Sequence, residues 1–236
     1  MENGLSKEVI ETLSLISKGR HRTNILKNPE QKALSFLVRK VPSWVSSDML
    51  TFLGLTGSII TMSGFILAAY INRFWLLIGI LGFAINWLGD SLDGRLAYYR
   101  NKPHKWYGFS LDITIDSITI MMIGTGYIIY ADYYEKWFGV GFVILYFQAI
   151  ITALLQYKVT DKYSIDTGIL GPTEARIFIS LILIFEILVK GSIVYTAAVA
   201  CIILLIVNII SIIELLKLAQ NRDTVENNSK LREKQE

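Results

Sequence analysis

The chain has 236 residues, 53% of them hydrophobic and 18% charged, and a mean hydropathy of +0.46. Those values exclude a soluble disordered chain and favour an integral membrane protein. With one cysteine, Cys201, and two distant histidines, His21 and His104, the chain offers no internal disulfide and no histidine metal cluster, and with a net charge of only +3 no nucleic-acid partner is expected.

Residues 1–50 read as a cytoplasmic and interfacial segment. Their polar start lacks the charged-then-apolar layout of a signal peptide. Leu34, Leu37 and Val38 among Lys32, Arg39 and Lys40 predict an amphipathic helix that anchors the chain on the membrane surface. Pro42 interrupts this pattern, and Ser46, Ser47 or Asp48 can cap a first spanning helix.

Six stretches are long enough to span, near 51–70, 74–97, 107–130, 138–156, 174–189 and 192–217, the fifth being short. The expected fold is all-α: a polytopic integral membrane protein with six transmembrane helices over 51–217 and an N-terminal interfacial amphipathic helix. Residues 218–236 read as a polar tail, a frayed helix running into disorder. Of 23 Lys and Arg, only Arg73, Lys136 and Lys190 fall in loops opposite the N-terminus. The positive-inside rule therefore puts both termini and the loop near 95–106 in the cytoplasm. Gly54, Gly57, Gly79 and Gly82 read as close-packing points between the first two spans. Asn86, Gln148 and Asn208 read as hydrogen bonds between helices.

The stretch from Asp90 to Asp116 organises the rest. It holds Asp90, Asp93, Asp112 and Asp116 between two apolar segments. An ionised carboxylate at bilayer depth costs about 2.5–3.5 kcal/mol even on the mild insertion scale, so four together need a compensating cation. Hard oxygen donors suit Mg²⁺, Mn²⁺ or Ca²⁺. Asp90 and Asp93 share one helix face with Gly94 and Ala97. Gly108, Asp112 and Asp116 recur every four residues and share a face of the next helix. A short loop makes the two helices antiparallel neighbours, so both acid pairs can converge at one membrane surface. The small residues would let a flat ligand or a phosphate approach the backbone.

Beside these acids lie Arg95, Arg100, Lys102 and Lys105, candidates for phosphate binding that topology alone would also explain. Trp106 and Tyr107 read as an interfacial anchor. A second polar cluster, Gly171-Pro172-Thr173-Glu174-Ala175-Arg176, opens the fifth span. Pro172 is a helix-start signal, and Lys158, Asp161 and Lys162 precede it as weaker candidates.

Asp90-x-x-Asp93-Gly94-x-x-Ala97 followed by Gly108-x-x-x-Asp112-x-x-x-Asp116 resembles the signature of the CDP-alcohol phosphotransferase family, D-x2-D-G-x2-A-R-x8-G-x3-D-x3-D. The family arginine is Tyr98 here, Arg100 lies two residues on, and the gap to Gly108 is one residue longer. The resemblance implies a membrane-embedded, Mg²⁺- or Mn²⁺-dependent phosphotransferase of phospholipid biosynthesis. Its donor would be a CDP-alcohol, with CDP-diacylglycerol one candidate, its acceptor a second alcohol, and its leaving group CMP. Asp90, Asp93, Asp112 and Asp116 would hold metal, and Asp116 would also be the general base. Asp93, Gly94, Ala97, Arg100 and Gly108 would bind the nucleotide, with Arg100 standing in for the missing arginine. A Gly-Pro-Thr-Glu-x-Arg run in related bacterial branches makes Glu174 and Arg176 candidates for the acceptor. Membrane lipid and a second copy, as a homodimer, are the other implied partners, and a prokaryotic plasma membrane is the implied location. The alternatives are an intramembrane prenyltransferase and a divalent-cation transporter. In the first, acid motifs lie far apart in sequence. The second calls for acids near mid-membrane.

Overall fold

The computed structural model describes residues 26–161 and 171–233. The polar start, His21 and Lys162 lie outside the described residues. Among the described residues seven helices follow one another: α1 (Lys27–Lys40), α2 (Ser47–Tyr70), α3 (Leu76–Tyr99), α4 (Lys105–Tyr130), α5 (Lys136–Thr160), α6 (Pro172–Leu188) and α7 (Ser192–Glu233). Short 3-10 turns, Arg73–Trp75 and Tyr133–Glu135, precede α3 and α5.

Local chemistry sets these boundaries. Pro42 drives the residue before it out of the α region, and Val41 is indeed extended and closes α1. Of the three proposed caps for α2, Ser46 serves, its Oγ accepting from the Met49 N–H at 3.1 Å. Pro172 occupies the first turn of α6, and Glu174 accepts from the Gly171 N–H at 3.1 Å. Glycine cannot return that bond, so this is half of a capping box.

Five of these segments are long and apolar enough to cross a membrane: Ser47–Tyr70, Arg73–Tyr99, Lys105–Tyr130, Tyr133–Thr160 and Ser192–Ser229. The sixth expected stretch forms α6, whose 17 residues reach about 25 Å at 1.5 Å per residue. The polar tail differs from expectation: it continues α7 as helix through Glu233. No Gly or Pro interrupts 218–233, and Arg222 ties the extension to the end of α5 by donating to the Lys158 and Val159 carbonyls.

The α2–α3 pair is the spine, and α4 packs beside α2 while α6 packs beside α3. Glycine makes the spine possible. A Cβ on Gly57 would lie 2.6 Å from the Gly82 carbonyl oxygen, and one on Gly89 would lie 2.7 Å from Gly54 Cα. Thr61 Oγ1 then donates across the seam to the Gly79 carbonyl at 3.1 Å. Gly89→Ala would therefore press on backbone that cannot swing aside, with a cost of about 1–3 kcal/mol expected for overpacking. At Gly79 the nearest such contact is Leu183 Cδ1 at 3.6 Å, an ordinary separation. Thermal unfolding in detergent should show Gly89→Ala clearly destabilised and Gly79→Ala near wild type.

Asn208 fulfils its expected role, donating from α7 to the Leu145 carbonyl of α5 at 2.8 Å. Gln148 does not: its side chain bonds Thr152 one turn along the same helix, at 3.3 Å. Glu186, in the midst of an apolar run, is buried and accepts from Tyr130 Oη (2.8 Å), Ser192 Oγ and the Gly191 and Ile193 N–H groups. It satisfies backbone donors at the start of α7 that hydrocarbon could not.

Candidate active site

Asp90 and Asp93 come from the second half of α3, and Asp112 and Asp116 from the first half of α4. The chain reverses between them through Arg100–His104, where Asn101 takes the left-handed conformation (φ 54°). All four aspartates line one pocket of about 220 Å³, measured to its open mouth, together with Thr51, Gly54, Asn86 and Ile115.

Asp90, Asp112 and Asp116 each offer an oxygen, and these oxygens lie within 4.8 Å of one another. Around Mg²⁺, with bonds of about 2.1 Å, octahedral oxygens sit about 3–4.2 Å apart. Ca²⁺, with bonds of about 2.3–2.6 Å, spreads them further. Three hard, anionic donors at this spacing fit a divalent cation. The Asp93 carboxylate stands outside this group of three. Its Oδ2 accepts from Thr51 Oγ1 at 2.7 Å and its Oδ1 from the Gly94 N–H, while Ser47 Oγ donates to its main-chain carbonyl. Nothing in the place of a threonine on a spanning helix marks Thr51 as the partner of Asp93.

A cation enters from α6. Arg176 Nη2 reaches Asp90 Oδ2 at 2.8 Å, with side-chain exposures of 14% and 24%. Its Nε donates to Asn86 Oδ1 at 2.8 Å. Asn86, one turn before Asp90 on α3, donates in turn to the Gly54 carbonyl and Ser58 Oγ, each at 3.0 Å. Ser58 and Thr119 hydroxyls share a further bond of 2.8 Å. A buried polar thread thus joins α6, α3, α2 and α4 beneath the carboxylates.

The remaining sequence candidates are placed differently. Glu174 lies two residues before Arg176, but its oxygens accept from the Leu26 and Gly171 N–H groups, at 2.9 and 3.1 Å. It fastens the start of α6 to the start of α1. Arg100 donates to the Val45, Pro42 and Val41 carbonyls, so its guanidinium closes the α1–α2 loop. Arg95 is fully buried on Glu30 of α1, at 3.2 Å, and on the Ser91 carbonyl. Gly108 is exposed in the first turn of α4 with open space where a Cβ would stand, while Gly94 and Ala97 are half-buried on α3.

Comparison with individual curated proteins found no match. The sequence model of the CDP-alcohol phosphatidyltransferases matches residues 44–213, which hold α2 to α6, most of α7 and every residue of the pocket. Such enzymes transfer a phosphate group from a CDP-alcohol in lipid synthesis and generally depend on a divalent metal. On this match, which covers well over half of its length, the chain belongs to the CDP-alcohol phosphatidyltransferase family.

Proposed function

We propose that this chain is a six-span enzyme with a cytoplasmic site, in which α6 is the short sixth span and α1 lies on the inner surface. It transfers the substituted phosphate of a CDP-alcohol to an alcohol acceptor and releases CMP. The observation that carries this reading is the convergence of Asp90, Asp112 and Asp116 from two helices onto one ion-sized space, with Arg176 beside them.

Asp90, Asp112 and Asp116 would hold a Mg²⁺ or Mn²⁺ ion, with Asp93 at the edge of the same pocket on the nucleotide side. When bound, the ion supplies the positive charge that offsets the phosphoryl oxygens and the leaving CMP. Gly94, Ala97 and Gly108 leave room for the donor. Arg176, the cation that reaches the cluster, is placed for a substrate phosphoryl oxygen. Glu174 and Arg100 act by holding α6 and the α1–α2 loop in place.

The acceptor hydroxyl oxygen attacks the phosphorus that carries the donor alcohol. A new P–O bond forms, the P–O–P bridge breaks, and CMP leaves with the bridging oxygen. Asp116 takes the hydroxyl proton, which it can do as a weak base only when the hydroxyl is held within hydrogen-bond reach. CDP-diacylglycerol with glycerol phosphate, inositol phosphate, inositol or serine is one substrate set. A CDP-aminoalcohol or CDP-inositol with a lipid acceptor is the other. The enzyme is further proposed to work as a homodimer in a prokaryotic plasma membrane.

The test supplies the purified protein with each CDP-alcohol and acceptor and with Mg²⁺ or Mn²⁺, and follows CMP. Metal-dependent CMP release that stops on chelation is expected. Turnover of a prenyl diphosphate, or metal flux without CMP, would overturn the reading.

A further inference from the structure

Asn86 sits where four helices meet, and it is only 3% exposed. Its amide is divided between two tasks. The NH₂ group donates to α2, at the Gly54 carbonyl and Ser58 Oγ. The oxygen accepts from Arg176 Nε on α6. Cross-helix bonds of the first kind are ordinary membrane packing, whereas the second kind reaches the pocket.

A guanidinium is planar, and its five N–H donors point in fixed directions. Two bonds in that plane are enough to fix it. Asn86 holds Nε and Asp90 holds one donor of Nη2, both at 2.8 Å. Among the described residues the side chain makes no other hydrogen bond, so its Nη1 donors are not committed to the protein. Asp90 alone could not fix this orientation, because the fork can rotate about a single bond.

We propose that Asn86 is a positioning residue for the transfer reaction: its side-chain oxygen fixes the plane of Arg176, so that the remaining guanidinium edge is presented to a substrate phosphoryl oxygen. This rests on the proposed reaction for its substrate, but the geometry is independent of which CDP-alcohol is used. The dull rival is that Asn86 only holds helices together. The two tasks of its amide allow a separation. Asn86→Asp keeps an oxygen for Arg176 and removes the donors to α2, whereas Asn86→Leu removes both.

The experiment compares wild type, Asn86→Asp, Asn86→Leu, Arg176→Lys and the Asn86→Leu/Arg176→Lys double variant. It measures CMP-release kinetics, detergent melting temperature, and the rise in melting temperature on adding CMP with Mg²⁺. Asn86→Leu and Arg176→Lys are each expected to lower kcat/KM about 10- to 100-fold, the scale of a lost charge-assisted hydrogen bond. The double variant should be no worse than the poorer single, since both changes undo one arrangement. Asn86→Asp should recover part of the kcat/KM and of the CMP shift that Asn86→Leu loses, although its melting temperature falls. Losses that multiply in the double variant, or an Asn86→Leu variant that only melts earlier, would overturn the proposal. A wild type that forms no CMP but is stabilised by it would sink the reaction. The CMP shift in the variants would then still decide the role of Asn86, which is lost if Asn86→Leu shifts like wild type.

Discussion

Asp116→Asn should lower CMP formation about 10²- to 10⁴-fold, the range general-base catalysis contributes, and excess Mg²⁺ should not restore it. Asp116 is one of three carboxylates whose oxygens fall within 4.8 Å of one another, so two effects are mixed in this variant. Losing an anionic ligand weakens ion binding, which more metal can overcome. Losing the proton acceptor lowers kcat at saturating metal. Asp90→Asn and Asp112→Asn provide the comparison: as proposed ligands with no proton to accept in the proposed reaction, they should respond at least partly to raised Mg²⁺. The fold should tolerate all three changes, because removing one of several crowded anions relieves repulsion at short range. An Asp116→Asn enzyme that works within tenfold of wild type, or recovers fully with metal, would assign the proton to another group.

The aspartate register was legible in the sequence for a simple reason. Spacings of three and four place side chains on one helix face, and a short loop between two apolar helices leaves one way to fold them back. Those spacings therefore bring all four aspartates to one surface. They do not divide the four acids into three that cluster and one, Asp93, that is held by Thr51 and Gly94. That division depends on hydroxyl positions in a neighbouring helix, which carry no pattern.

The cations were the least legible part. Arg95, Arg100 and Arg176 look alike as interfacial arginines, yet one lies on a buried glutamate, one on loop carbonyls and one on the carboxylate cluster. What separates them is long-range. Arg176 meets Asp90 across 86 residues, a pairing set by α6 docking on α3. Glu186 is a lone acid within an apolar run, and no motif marks it. Its four donors come from Tyr130 and from the turn that opens α7, and neither is visible as a motif. The spine glycines were legible as packing points, because small residues repeated on a membrane helix permit close backbone approach.

Arg95→Met should cost about 3–5 kcal/mol, as expected when one member of a buried ion pair is removed and the other stays. Arg95 and Glu30 side chains are each 2% exposed and 3.2 Å apart, so the buried Glu30 carboxylate would lose this ion-pair partner. Glu30→Met should be similarly harmful, and the Glu30→Met/Arg95→Met pair should recover most of the loss, since a packed apolar pair carries no desolvation cost. Detergent melting temperatures of the three variants check this, and a double variant as unstable as the sum of the singles would refute it. The consequence reaches the site by a short route. Glu30 also accepts from Thr173 Oγ1 at 3.1 Å, and Thr173 lies three residues before Arg176 in the opening turns of α6. Glu174 makes a parallel tie from α6 to the Leu26 N–H at 2.9 Å. With Glu30 gone, α6 loses one of its fastenings to α1. Glu30→Met should then raise KM for a phosphoryl substrate through the looser Arg176, while Mg²⁺ affinity, on the proposed reading a property of acids on α3 and α4, should stay within a few-fold of wild type.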